Sequence, residues 1–461
     1  GIGILAVCDW FNESRPRVTL LSMIDRIAKD DVLPRSTDVV VIGAGIIGVS
    51  AALTLAERGI SVVLIEKGVI SGEQSSRNWG WCRQQGRDPR ELPLIIESLR
   101  LWRELNQRIE EETGFRQCGV VYLARTAADL EAREAWLDLV KSYGVDSRLV
   151  GRRELDKLLP GSAVPHAGAL FTPSDGRAEP ALAVPAMARA ARRRGAIVLE
   201  KTAARGVETR AGSICNVVTE KGRIDCNGVV LAGGVWSRLF CQSLGIDVPQ
   251  LKVVSSVLRT QPLPGGPEVS ASGHGFSFRK RLDGGYTVAH GGVINYDLVP
   301  DSFRLLTRFL PLAWMARHEL RPRFSSRFGV EWRQPSSWPL DKPSPFEEIR
   351  ILDPAPQPGV LRAAVRNLKG AYPVFQGLEV AEEWAGMIDV TPDAVPVISG
   401  TSALPGLILA TGFSGHGFGI GPAAGRLAAD LVTAAPIAVD LQPFALSRFF
   451  DGSKICPVAG I

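Results

Sequence analysis

The chain has 461 residues, of which 45% are hydrophobic and 22% charged, with a formal net charge of +5. That is ample for a buried core, and at about 150 residues per domain it predicts two or three domains. So mild a charge argues against nucleic acid as a partner. Seven scattered cysteines without a CxxC pair argue against a disulfide framework, and five histidines without HxxxH spacing argue against a metal site. A reducing, cytoplasmic location is expected.

Residues 1–10, GIGILAVCDW, are apolar only as far as Cys8. That is far short of the ~20 residues that span a bilayer, and no basic segment precedes them. Met23 opens MIDRIAKDDVLP, a candidate start that would make residues 1–22 an upstream extension. No apolar run of membrane-spanning length occurs elsewhere, and there is no internal repeat.

Residues 38–67 read DVVVIGAGIIGVSAALTLAERGISVVLIEK. The β-branched run Asp38–Ile42 predicts a strand buried on both faces. Gly43, Gly45 and Gly48 follow in GxGxxG spacing. Val49–Arg58 then reads as a helix with Gly59 as its C-cap, and Ser61–Ile65 as a second buried strand ending at Glu66. In such a unit Gly43 permits the tight turn, Gly45 lets a pyrophosphate approach the backbone, and Gly48 lets helix and strand pack closely. The helix N-terminus offers N–H groups and partial positive charge to the phosphates, and Glu66 accepts from a ribose diol. Ile47 on the turn and Lys67 beside Glu66 complete this dinucleotide set.

An acid at that position suits nicotinamide or flavin dinucleotides alike. The next segment, GEQSSRNWGWCRQQGRD (72–88), has neither helical nor strand periodicity. It brings Ser75, Ser76 and Arg77 close behind Glu66, suited to the same pyrophosphate, where a nicotinamide domain would run on into helix and strand. GAGIIG, EKG and GEQSSR in succession resemble the FAD-dependent amino-acid oxidase superfamily of D-amino-acid and glycine oxidase type. The resemblance covers roughly residues 36–447. It is nearest to the membrane-associated L-amino-acid deaminase branch of Proteus type, through GEQSSR, AARGVET, VVTEKG, AGGVWSRLF, SPFEEIR and WAGMIDVTPDAVPVIS.

The resemblance implies an α/β fold, with a Rossmann-like FAD-binding domain interleaved with an α+β substrate domain built on an antiparallel sheet. Residues 1–34 would be an N-terminal extension and 441–461 a tail. Residues 35–90, 160–240 and 380–440 would form the FAD unit, and 91–159 with 241–379 the substrate unit. It further implies that a backbone amide near Val207 meets the adenine and that Gly233 and Trp236 stand beside the dinucleotide. Gly412, Gly415, Gly417 and Phe418 would close over the flavin. Ser75, Ser76, Arg77 and Gly80 would form the FAD lid, with Trp81 and Gln84 on the floor of the substrate cavity. Cys82 reads as a buried small residue, since hydride chemistry needs no thiol, and no cysteine lies in an attachment motif, so FAD is expected to be held non-covalently.

Further along, 92–114 reads as an amphipathic helix, Gly119–Ala124 as a strand and Ala127–Tyr143 as a helix. A Pro/Gly-marked boundary falls at 159–168, and 180–200 reads as helix then strand. Arg192–Arg194 reads as a solvated helix end, and Asp175-Gly176-Arg177 as a structural turn. Residues 250–300 read as strands, with Phe276–Arg279 and Tyr286–His290 forming a sheet over the flavin. Residues 301–335 hold seven arginines against three acids, interleaved with large apolar side chains. Such a stretch suits a membrane interface, or equally an ordinary helix pair capping the substrate domain; the resemblance favours the membrane.

Flavin amine oxidation needs the substrate's Cα–H near the flavin and an unprotonated amine, not a catalytic triad. His416 in FSGHGFG is the leading polar candidate and His290 the second. Where the resembling branch carries a carboxylate-binding arginine on its roof strand, this chain reads VAHGG, with Gly291 or Gly292 at that place; Trp81 stands where a glutamine would be. Arg83, Arg87 and Arg279 are therefore the alternative anchors for a substrate carboxylate. The expected activity is oxidation of an amino acid's C–N bond, with a secondary-amine enzyme (sarcosine, proline or hydroxyproline type) or D-amino-acid dehydrogenase as the alternative. A flavin monooxygenase ranks low because no second GxGxxG unit is present, as does a flavoprotein without catalysis. The expected electron acceptor is oxygen or a quinone, at the inner face of the membrane in the second case.

Overall fold

The computed structural model describes residues 24–27, 30–437 and 439–458. The candidate start at Met23 and the extension before it lie outside the described residues.

Three separated stretches of chain build one six-stranded sheet, in the order Val397–Gly400, Leu407–Thr411, Gly228–Leu231, Val39–Ile42, Val62–Ile65 and Ile197–Leu199. All neighbours are parallel except the edge strand Val397–Gly400, which runs against Leu407–Thr411. The four residues of Val39–Ile42 are buried on both faces, as a central parallel strand requires. The helix occupies Ile46–Glu57, three residues ahead of the sequence expectation, because Gly45 itself is the N-cap. Gly59 ends it with φ +73°.

Close packing over this sheet depends on absent side chains. A Cβ on Gly48 would stand 1.9 Å from the Gly43 carbonyl oxygen. The Gly417–Val432 helix lies against Ile46–Glu57, and a Cβ on its Gly425 would stand 2.5 Å from the Ile47 carbonyl oxygen. This brings the C-terminal helix directly over the nucleotide-binding turn.

The second unit is a ten-stranded, mainly antiparallel sheet, ordered Leu320–Arg323, Ile294–Asp297, Leu251–Thr260, Tyr286–Ala289, Phe276–Lys280, Ser270–Gly273, Val120–Ala124, Gly168–Thr172 and Arg148–Val150. Val380–Val390 pairs with Leu251–Thr260 off that path. Gly168–Thr172 and Val380–Val390 belong to this sheet by their hydrogen bonds, although both fall in stretches expected in the FAD unit. A three-stranded meander, Ala204–Arg210, Ser213–Thr219 and Gly222–Asp225, stands apart from both.

The helix expected over 92–114 ends at Ile109, where Glu110 takes a left-handed conformation. Residues 301–335 form short helices at Leu306–Met315 and Arg327–Arg333 around the edge strand Leu320–Arg323. No helix among the described residues is long and apolar enough to cross a membrane.

Candidate active site

A cleft of about 2250 Å³, counted with its open mouth, begins where the parallel strands end, at Gly43, Glu66, Ala232 and Ala410. Ligands of open α/β sheets bind at that edge.

At the nucleotide end, Gly43 turns with φ +101°. The Glu66 carboxylate accepts N–H groups from Ala44 (2.9 Å) and Gly68 (2.7 Å). Burial raises its carboxyl above the usual range, while Lys67 and those two amides oppose the shift. Ser75 accepts from the Ile46 amide at 2.9 Å, placing its hydroxyl at the helix N-terminus. Arg77 is held by Asp353 (2.5 Å) and the Ala385 carbonyl (2.9 Å), yet its Nη2 is buried without a partner on the cleft wall. An orphaned guanidinium nitrogen beside an open glycine turn and a helix N-terminus fits a pyrophosphate. Gly45, Ile47, Gly233 and Trp236 line the same end.

Several residues expected there face elsewhere. Lys67 lines the cleft, but its ammonium bonds to Glu73 (2.9 Å) and to the Ile349 (3.0 Å) and Arg350 (2.8 Å) carbonyls. Those bonds use all three donors of an ammonium, so Lys67 buttresses the wall. Ser76 bonds back to the Glu73 carbonyl and does not line the cleft. Gly80 also lies outside it, and a Cβ there would meet the Ala178 oxygen at 2.5 Å. Val207 pairs with Val217 in the meander, and Thr202 and Ala204 face the cleft instead. Gly412 is a turn residue whose amide donates to Asp389 at 2.7 Å; Gly415, Gly417 and Phe418 reach the cleft.

The other end is walled by Trp81, Arg83, Arg87, Phe413, His416 and Phe418. Trp79 meets Trp81 edge-on, with ring centroids 5.4 Å apart. Cys82, beside Trp81, is fully buried, and burial pushes its thiol well up, so it is no nucleophile. His416 is 3% and Glu91 0% exposed, and His416 Nδ1 lies 3.1 Å from the Glu91 carboxylate. Burial, and then the Arg87 charge, hold the imidazole below its ordinary value. It therefore stands neutral near pH 7, donating Nδ1–H to Glu91 and keeping a lone pair on Nε2, which has no partner. Burial acts to raise Glu91, but His416 and the two arginines outweigh it and hold the carboxyl low.

Gln84 lies outside the cleft: its amide bonds to Ser174 (2.6 Å) and Asp146 (3.3 Å). Arg279 is equally committed, gripping Glu179 through two bonds of 2.7 and 3.0 Å and capping the Trp79 carbonyl. Asp175 accepts the Gln84 and Gln85 amides and so sets the course of the segment that carries Arg83 and Arg87. On the roof, His290, Gly291 and Gly292 line the cleft. Gly291 has φ +72°, and a Cβ there would stand 2.5 Å from Ser277 Oγ, so no arginine fits that position.

A parallel nucleotide-binding sheet roofed by an antiparallel one, with the cleft between them running from a glycine turn to an aromatic pocket, defines a two-unit flavoprotein oxidoreductase. The sequence profile of the DAO family, FAD-dependent oxidoreductases, matches residues 38–431, and the chain belongs to that family, whose cofactor is FAD. The fold is similar to that of L-amino acid deaminase from Proteus myxofaciens, solved in complex with anthranilate. The TM-score is 0.89 at 35% identity, over 92% of this chain and 96% of that one. In sequence the chain is 26% identical over 426 residues to 4-methylaminobutanoate oxidase (formaldehyde-forming) of Paenarthrobacter nicotinovorans, covering 91% of this chain and 46% of that protein. It thus spans less than half the length of that relative. It is 25% identical to the sarcosine oxidase subunit beta of an Arthrobacter species, over 91% of this chain and 93% of that one.

Proposed function

We propose that the protein oxidises the C–N bond of a small amino acid, releasing a keto acid and ammonia after hydrolysis in water. The observation that carries this reading is the continuity of the cleft from the Gly43–Gly45 turn to the Trp81–His416 pocket, which puts a substrate-sized space beside the flavin end. FAD bound there supplies the acceptor for the hydride lost from the substrate Cα. The chain's own residues hold the substrate and manage its proton. Trp81, Phe413 and Phe418 form an apolar wall that excludes water. Neutral His416, oriented by Glu91, takes the ammonium proton at Nε2, so that the amine reacts as the free base.

A secondary amine is the second reading. It is favoured by the loss of an arginine-bearing roof at Gly291 and Gly292, and by the likeness to 4-methylaminobutanoate oxidase and sarcosine oxidase subunit beta. Anaerobic mixing with L- and D-amino acids and with N-methyl amines separates the two. Bleaching of the flavin with ammonia as product supports the first; bleaching by an N-methyl amine, with formaldehyde or methylamine as product according to which carbon loses its hydride, supports the second. A flavin that none of these amines reduces overturns both.

Residues 301–335 are proposed to rest on an anionic membrane surface, from which a quinone could reoxidise the flavin. Trp314, Phe324 and Trp332 are 73, 77 and 68% exposed, and the Arg317 guanidinium lies 4.8 Å over the Trp314 ring. Glu319, in the same stretch, lines the cleft, so the patch adjoins its mouth. Leu306 and Leu310 share the exposed face of their helix. Leu306→Glu combined with Leu310→Glu is expected to abolish co-sedimentation with anionic vesicles at low salt and to leave flavin content unchanged. Wild type that never pellets with such vesicles refutes the membrane reading and leaves oxygen as the acceptor.

A further inference from the structure

We infer that Arg87, assisted by Arg83, is the binding site for the substrate's carboxylate, which moves the anchor from the roof of the cleft to its floor segment. The inference rests on the amino-acid reading above and assigns its recognition chemistry.

Arg87 has buried donors that no carboxylate satisfies. Arg87 is 2% exposed, and its Nη1 is buried without a partner. Its other bonds go to neutral carbonyls, from Nε to Arg83 (3.2 Å) and from Nη2 to His416 (a long 3.5 Å). The remaining buried arginines among the described residues all hold a carboxylate: Arg77 with Asp353 at 2.5 Å, Arg177 with Glu268 at 3.1 Å, Arg238 with Asp301 at 2.7 Å, Arg279 with Glu179 at 2.7 Å and Arg448 with Asp393 at 3.0 Å. Arg83 also has no carboxylate partner among the described residues; it bonds to the Gln85 carbonyl and stands 5.5 Å over the Tyr122 ring.

The nearby acids are already engaged. Glu91 accepts its hydrogen bond from His416 and acts on Arg87 only through space, with no bond between them, and Asp175 takes two backbone amides at 2.8 and 3.1 Å. Burial also draws the Asp175 carboxyl up to about 7, which weakens it as a counter-charge. Taking a guanidinium out of water without a bonded anion is costly, and the cost is recovered when a carboxylate binds through charge-assisted bonds. Both arginines line the cleft between Trp81 and His416, so a carboxylate held there leaves the amine at the same end as His416.

The test uses the holoenzyme and follows the visible flavin spectrum during titration with benzoate, with propionate and with the neutral isostere benzamide. Wild type should bind the carboxylates and bind benzamide far more weakly. Arg87→Met should raise the benzoate Kd by roughly 10- to 100-fold, the worth of losing a charged hydrogen bond. Arg87→Lys should recover part of that loss, and Arg83→Met should show a smaller one. Should Arg87→Met not retain FAD, the wild-type comparison of benzoate with benzamide and the lysine variant decide the matter. Equal benzoate binding by wild type and both methionine variants overturns the inference, as does a wild-type spectrum that responds to neither carboxylate or equally to benzamide. If benzoate binds through Arg87 but no amine reduces the flavin, the oxidation reading fails and the anchor stands. If amines reduce the flavin while benzoate binding ignores Arg87, the reverse holds.

Discussion

Gly45→Val is expected to give a folded protein that purifies without flavin colour, its visible absorbance per chain below roughly a tenth of wild type. Gly45 is extended, with φ −73° and ψ 179°, a conformation that valine adopts readily, so backbone strain is not the cause. The effect comes from occupancy. A Cβ on Gly45 stands 3.1 Å from Ser75 Oγ, the hydroxyl that receives the Ile46 amide, and the two methyl groups beyond it fill the space at the helix N-terminus. The pyrophosphate would have to lie in that space to meet the helix amides and Arg77 Nη2. The absorbance ratio of flavin to protein, with circular dichroism as the check on folding, reads the outcome. A variant with a full complement of FAD would show that the dinucleotide does not cross the turn at Gly45. Acid precipitation of wild type tests non-covalent attachment: all the colour should pass into the supernatant, and colour kept in the pellet would refute it.

Arg279→Met should destabilise the protein by about 3–5 kcal/mol, the cost of leaving a buried charge without its partner. Glu179 is 5% exposed and would keep only Arg281, at 3.9 Å, and the amide of Leu282. The Trp79 carbonyl would lose its donor as well, loosening the aromatic segment that leads to Trp81. Adding Glu179→Gln should recover part of the loss, because the stranded charge is then removed. The pair also predicts a pH dependence. Burial works to raise the Glu179 carboxyl, but Arg279 overrides it and holds the group below the usual range. With the folded value below the unfolded one, near 4.3, the contribution is full above that pH and disappears as the pH falls through the lower folded value. Urea midpoints of the single and double variants at pH 7 and pH 4 measure both effects. A single variant as stable as wild type would refute the pairing as a structural element.

Much of the nucleotide end was legible because it is contiguous. Strand, glycine turn, helix and strand follow one another within residues 38–66, each set by local propensity and by the two-sided burial of a parallel strand. Even there the pattern marked positions and not directions. Ser75 faces the cleft while Ser76, one residue on, turns back to the chain, and Lys67 spends its donors on a loop some 280 residues away. Val207 pairs with Val217 in the meander, and it is Thr202 and Ala204 that line the cleft.

The substrate end was less legible, because its members meet only in three dimensions. Arg83, Arg87 and Arg279 read alike as candidate cations, and only the fold shows that Arg279 is spent on Glu179 while Arg87 has no acid to bond. Glu91 opens an amphipathic helix without any local mark of function, and it meets His416 across 325 residues of chain. What the sequence determined by itself is the dinucleotide-binding unit, which follows from short-range periodicity and from glycines that backbone contact demands; its family was legible only through the resemblance of its motifs. The tertiary structure decided which charges are paired. Pairing depends on which side chains are desolvated together, and in this chain that is settled by two sheets closing over one cleft from segments far apart in sequence.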